Sequence, residues 1–228
     1  GLEPEQIQAI VVTHEHDDHL GGAFKFSRRF KTPVFLTNGT WRAALKSGRT
    51  TEAYLETGLV HLVDSHATFE CTGLEVEPFP VPHDAREPIQ LLVHAKAGTL
   101  GILTDCGSST PHLIEKLKKA HWLILESNHC TDKLEASPYP DSLKRRVGGL
   151  YGHLSNQVAC EILREVVPGK LDYVVAAHLS QNTNCPHLVE QLWSGVLQQH
   201  GIPFDIACQE EGLAWTEPAK FKRQLKTA

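Results

Sequence analysis

Thr13-His14-Glu15-His16-Asp17-Asp18-His19 follows directly on the apolar run Ile10-Val11-Val12. Three imidazoles are interleaved with carboxylates over positions 14–19. A strand that ends in a tight loop aims His14, His16, Asp18 and His19 out of a sheet edge into one small volume. Neutral imidazole and carboxylate are the ligands that Zn²⁺, Mn²⁺ and Fe prefer. The bland alternative, a solvated polar loop, explains neither the density of ligand types nor their place after a strand.

The 228 residues are 41% hydrophobic and 21% charged, with a formal net charge of −5. That length supports one large α/β domain with its own core. The negative balance argues against a protein that coats nucleic acid by bulk electrostatics, without excluding a local basic strip. No apolar stretch approaches membrane-spanning length and no signal-peptide pattern opens the chain, so no membrane partner is expected. The six cysteines (71, 106, 130, 160, 185 and 208) lie more than twenty residues apart with no C-x-x-C. Scattered reduced thiols of this kind point to a cytoplasmic protein. Met is absent and the ligand loop arrives a dozen residues in. This raises the expectation of a shortened N-terminus or of replaced methionines.

Strand-like runs occupy 7–13, 33–37, 59–63, 74–81, 90–95, 99–104, 122–126, 173–177, 203–208 and 213–216, interspersed with helix-period segments at 20–30, 39–47, 110–120, 155–166 and 186–200. Ser155 or Asn156 caps the helix that Pro168-Gly169 ends, and Ala97-Gly98 reads as a hairpin turn. The polar segment 128–154 is expected to be a long, functional loop with a short helix at 142–147. With no linker or repeat, 1–218 reads as a single layered α/β domain, and 219–228 as a basic tail with Lys220, Lys222, Arg223 and Lys226.

Further ligands should sit at strand ends, where rigid backbone holds them. His83 in Val-Pro-His-Asp, Asp105 in Leu-Thr-Asp-Cys-Gly and His178 in Ala-Ala-His-Leu-Ser each follow a β run. With these residues the chain resembles the metallo-β-lactamase fold superfamily, over residues 7 to about 216. The resemblance implies a four-layer αββα sandwich and two divalent metal ions (Zn, Mn or Fe). It puts His14, His16 and His83 on one metal and Asp18, His19 and His178 on the second, with Asp105 bridging. It also implies strands ahead of the metal loop that are mostly missing here. Asp17 reads as a solvated neighbour or a support for the ligands. Flavo-diiron oxidoreductases of this fold have Glu where His16 stands, so His16 favours a hydrolase over a redox centre.

Glu126-Ser-Asn-His129, Tyr139-Pro, Leu143-Lys-Arg-Arg146, Gly152-His-Leu-Ser-Asn156 and His178-Leu-Ser with Asn184 and Pro186 resemble the YycJ/WalJ-like subgroup. That subgroup is bacterial and cytoplasmic, and is regarded as metal-dependent nucleases or phosphodiesterases. Thr183 departs from its pattern, where a second Asn is expected. The resemblance makes Asp18 and His153 the catalytic candidates, with His153 contacting the scissile phosphate and protonating the leaving oxygen; the alternative is a capping-loop histidine held by backbone. Glu126 and His129 would orient His153 or a ligand, against plain loop hydrogen bonding. Lys144, Arg145 and Arg146 would guide a phosphate backbone or simply solvate a helix face. Ser180 and Asn184 are further candidates near the substrate. Cys106 reads as a small buried apolar residue. The expected activity is phosphodiester hydrolysis on nucleic acid, as a DNA exonuclease. A glyoxalase II-like thioesterase or lactonase is the first rival, and a non-catalytic regulatory or binding module the second.

Overall fold

The computed structural model of the protein describes residues 2–210, 212–214 and 216–217. The expected basic tail lies outside the described residues. Two compact units form, Gly1–Gln90 and Leu91–Ala228.

In the first unit, β1 (Ile10–Val11), β2 (Val34–Thr37) and β3 (Val60–Val63) make a parallel sheet in that order. Parallel strands need helical crossovers. These are α1 (Asp17–Leu20) and α2 (Ala23–Phe30) between β1 and β2, then α3 (Asn38–Lys46) and α4 (Glu52–Leu55) between β2 and β3. Phe24 of α2 packs edge-on against Trp41 of α3 at 5.9 Å and Tyr54 of α4 at 5.8 Å between ring centroids, joining three of the four crossover helices over buried Val34 and Leu36. Thr37 closes β2 and opens α3, its Oγ1 accepting from Thr40 N. β4 (Phe69–Cys71) and β5 (Leu74–Pro80) form an antiparallel hairpin.

β1 is shorter than the run at 7–13. Pro33, which has no N–H, lies opposite the start of the strand and contributes only its carbonyl to Ile10 N, so the ladder stops there. The earlier residues Pro4–Gln6 instead form a 3₁₀ turn.

In the second unit Leu91–Ala95 of β6 (Ile89–Ala95) pairs with β7 (Gly98–Leu103) in an antiparallel hairpin that turns at Lys96-Ala97. β8 (Trp122–Glu126), β9 (Tyr173–Ala177) and β10 (Phe204–Ile206) then add in parallel. The near-continuous apolar run Tyr173-Val-Val-Ala-Ala177 fits a strand buried on both faces. The helices are α5 (Pro111–Leu117), α6 (Thr131–Glu135), α7 (Asp141–Val147), α8 (Asn156–Val166) and α9 (Pro186–Leu197). α8 buries Ala159, Cys160, Ile162, Leu163 and Val166, one face at helical spacing, and packs against α5 and α9. Ser155 caps it by accepting from Val158 N at 3.3 Å.

Three expectations are revised. The segment 128–154 holds two helices rather than one, because the polar turn α6 has a single buried residue, Leu134, and so little apolar periodicity. The run at 213–216 gives no strand among the described residues, only a bridge between Cys208 and Gly212. β4 carries no alternating pattern and is read only from its pairing with β5.

Register decides what the second unit presents. Leu103 pairs with Leu125, Leu125 with Ala176 and Glu126 with Ala177. The C-terminal ends of β7, β8 and β9 therefore stand level, and the side chains that follow them emerge side by side.

Candidate metal centre

In the first unit the metal loop leaves β1 and turns into α1. His14 Nε2 lies 3.0 Å from His16 Nδ1, and His83 Nε2 lies 3.2 Å from the same atom. His14 and His83 are buried, while His16 is partly open. Imidazole nitrogens gathered this closely suit a shared cation: tetrahedral coordination at zinc–nitrogen distances of about 2.0–2.1 Å separates neighbouring ligand atoms by about 3.3 Å. Thr13 Oγ1 supplies the support behind them, 3.0 Å from His14 Nδ1 and 3.1 Å from His19 Nδ1. With Nδ1–H of His14 donating to Thr13, Nε2 keeps its lone pair for a metal. The loop is pinned from below by Glu15, whose Oε1 accepts from Arg86 N at 2.8 Å.

Asp17 forms an ion pair with Arg49. Asp18 is exposed on α1, with Oδ2 3.5 Å from His19 Nε2. Asp84 was not singled out from the sequence. Its Oδ1 lies 3.6 Å from both His16 Nε2 and His83 Nε2, and the signal for it was the acid directly after His83.

In the second unit Asp105 and His178 follow β7 and β9. Both adopt left-handed backbone, at φ 54° and 58°, a conformation that costs energy for a residue with a Cβ. Such strain held at two strand ends marks positions where side-chain placement outweighs local stability. Between them, Glu126 ends β8 with no exposure. Its Oε1 accepts from His153 Nδ1 and from His178 Nδ1, each at 2.8 Å. Its Oε2 accepts from Cys106 N and Leu154 N, each at 3.1 Å. Asp105 Oδ1 stands 3.5 Å from His153 Nδ1 and 3.7 Å from His178 Nε2. Asp105, Glu126, His153 and His178 thus form one cluster of ligand-type groups.

Electrostatics of this cluster follow from Glu126. Burial, the strongest influence, would raise its carboxyl, but hydrogen bonds and charge from His153 and His178 outweigh it and hold the group below the ordinary carboxylate range. His153 shows the reciprocal effect. Burial would depress it, yet the Glu126 hydrogen bond and charge, with the Asp105 charge, raise it. Because Nδ1 of each histidine is committed to Glu126, Nε2 is the atom each presents. Cys106 is buried and its thiol is pushed up to about 12, chiefly by burial, which leaves an inert packing group.

His129 is buried beside α7, and its Nδ1 has no hydrogen-bond partner among the described residues. Its backbone carbonyl accepts from Asn156 N at 2.8 Å. Burial pulls the imidazole down to about 4. The unfolded chain, with a pKa near 6.5, then takes a proton between those values that the folded chain refuses, so stability is full at pH 7 and falls toward pH 4. A difference of about 2.5 units corresponds to about 3 kcal/mol. Urea denaturation of metal-free protein at pH 7 and pH 5 should show that His129→Leu removes this part of the acid sensitivity. Equal acid sensitivity in both proteins would count against it.

Lys144 donates from Nζ to the Glu135 carbonyl, tying α7 to α6, while Arg145 and Arg146 are exposed. Lys144 and Arg145 line a cavity of about 360 Å³ with Glu135, Asp141 and Gly148. Asn184 is buried in an amide network: Nδ2 donates to the carbonyls of Ser127 and Asn128, and its side chain pairs with that of Asn156. Ser127 Oγ donates to Asn156 Oδ1 at 2.8 Å, and Asn128 Nδ2 donates to the His178 carbonyl at 3.0 Å. Ser180 Oγ accepts from Thr183 N. This network straps the strained His178 turn to the end of β8 and the start of α8. Ser127, Asn128 and Asn156 were missed as members of it, although the quoted runs around them contained them.

Imidazoles and carboxylates gathered at the ends of parallel strands in an α/β fold define a metal-dependent hydrolase. The family model of the beta-lactamase superfamily domain matches residues 1–178, and the chain belongs to that superfamily. It is 32% identical over 203 residues to exodeoxyribonuclease YycJ of Bacillus anthracis, covering 88% of this chain and 75% of that protein. It is 26% identical over 211 residues to exodeoxyribonuclease WalJ of Streptococcus pneumoniae, covering 90% and 77%. The metallo-beta-lactamase fold protein YhfI from Bacillus subtilis superposes with a TM-score of 0.67 at 14% identity, over 93% of this chain and 79% of its own. The expected metallo-β-lactamase-like α/β fold is therefore present. Among the described residues no helix is long and apolar enough to cross a membrane.

Proposed function

We propose that the protein is a dinuclear metal-dependent phosphodiesterase of the bacterial cytoplasm that digests DNA as an exonuclease. In this reading His14, His16 and His83 hold one ion, Asp18, His19 and His178 the second, and Asp105 bridges. The donor set of imidazole and carboxylate suits zinc, manganese or iron. Two divalent ions, when bound, supply Lewis acidity and a nucleophile by lowering the pKa of water to about 7.

The observation that carries the reading is the shared hold of Glu126 Oε1 on His153 and His178. His178 is spent as a ligand. His153 is an imidazole fixed beside it with Nε2 presented and its proton affinity raised, which suits protonation of a leaving oxygen. Arg145 and Arg146 sit exposed on the helix that leads to His153 and would draw in a phosphate backbone. The names of the two exodeoxyribonuclease relatives favour DNA as the polymer.

Metal-loaded protein should hydrolyse bis-p-nitrophenyl phosphate and release nucleotides from DNA ends, while a thioester is turned over poorly. Thioester-only turnover would overturn the reading. Asp18→Ala should abolish hydrolysis in a folded protein. His153→Ala should lower turnover about 10²- to 10⁴-fold with metal content intact, the usual range for loss of a general acid. Metal loss in that variant would make His153 a ligand instead.

A further inference from the structure

Leu150 and Tyr151 are 72% and 63% exposed, more than any other large hydrophobic side chain among the described residues. They stand on the turn between α7 and α8, directly ahead of Gly152 and His153. This turn is held on both sides. Gly152 N donates to Gly149 O at 2.9 Å and His153 N to Val147 O at 2.8 Å. From the loop that follows Asp105, Ser108 Oγ donates to the Leu150 carbonyl at 3.0 Å. A Cβ at Gly107 would come within 2.4 Å of Gly152 N and of the Leu150 carbonyl carbon, so the two backbones are in contact.

A clamped backbone thus holds two adjacent large apolar side chains in water, close in sequence to His153. On the near side the turn runs through His153 to Glu126; on the far side α7 carries the exposed Arg145 and Arg146. An exposed aromatic residue close in sequence to an imidazole and to two exposed arginines has the composition of a surface that takes an unpaired nucleotide, with cations on the phosphate and the ring on the base. Tyr and Arg also serve protein interfaces; what favours a nucleotide here is the place of Tyr151 two residues ahead of His153.

We propose that Tyr151, with Leu150, forms the stacking platform for the nucleobase adjoining the phosphodiester on which His153 acts. The proposal rests on the phosphodiesterase reading and adds to it a preference for an unpaired strand end. Because every base has a π face, the platform grips without reading sequence.

The test compares a single-stranded oligonucleotide with the same strand made abasic at its two terminal positions. Tyr151→Ala should raise KM on the ordinary strand about 5- to 150-fold, with kcat within a few-fold, the effect of losing one base stack. Tyr151→Trp, which keeps an aromatic face, should recover most of that loss. On the abasic strand wild type and Tyr151→Ala should have equal KM. An unchanged KM in Tyr151→Ala, or equal losses on both strands, overturns the platform while leaving the phosphodiesterase reading intact. Failure of the wild type to cleave any oligonucleotide overturns both. Concentration-dependent self-association that Tyr151→Ala abolishes, with KM unchanged, assigns the patch to protein contact and also overturns the proposal.

Discussion

Glu126→Ala is expected to lower hydrolysis at least 10³-fold and to cost about 3–5 kcal/mol of folding stability, the range for removing one partner from a buried charged set. Four N–H groups converge on this carboxylate, from Cys106, Leu154, His153 and His178. Alanine leaves them facing a cavity, and each buried donor left unmatched costs about 1–3 kcal/mol. The loss of activity has a separate origin. Without Glu126 the hydrogen bonds that fix which nitrogen of His153 and His178 carries the proton, and which way the rings point, are lost. Glu126→Gln separates the two effects. It keeps the volume, but its amide N–H₂ must face two N–H donors, so it should recover part of the stability and little of the turnover. Urea denaturation and hydrolysis of bis-p-nitrophenyl phosphate read the two quantities. Wild-type turnover in Glu126→Gln would mean that the carboxylate packs the cluster without orienting it.

How much of this cluster could be read from the chain depends on range. Asp105 and His178, like His83 in the first unit, were visible because each is a ligand-type residue immediately after an apolar β run, a local signal. β8 and β9 were bounded correctly from local pattern as well: Trp122–Leu125, closed by Glu126, and Tyr173–Ala177 are apolar stretches. The double hold of Glu126 on His153 and His178 was not legible. It joins residues 27 and 52 positions apart through the level ends of three strands. The amide network of Ser127, Asn156 and Asn184 is the same kind of feature, since short polar residues in loops carry no periodicity to reveal their partners. Ser180 and Asn184 illustrate the limit. The motif drew attention to both, but only tertiary contacts reveal that Asn184 ties loops together. Backbone strain at Asp105 and His178 is nearly as silent in sequence, because Asp and His take positive φ more often than most residues but still at a small minority of positions.

Gly152→Ala is expected to lower turnover about 10²-fold, although the change adds one methyl group and touches no ligand. A Cβ at this position would lie 2.1 Å from the Arg146 carbonyl oxygen and 2.3 Å from that of Val147. Both obstacles are backbone at the C-terminal end of α7, and neither can swing aside as a side chain would. Relief requires the turn to move away from the helix by about 1 Å, and a displacement of that size in a catalytic group is enough for a loss of about 10²-fold. The movement must pass to His153, because its N–H bonds Val147 O and its ring bonds Glu126. Either the backbone bond or the Glu126 contact has to stretch. Stability should fall less than in Glu126→Ala, by about 1–3 kcal/mol, the usual cost of overpacking. Metal content should not change, since no candidate ligand lies on the turn. Full turnover with metal retained would show that the turn shifts without carrying His153. Loss of metal together with turnover would place the damage at His178, through their shared hold on Glu126.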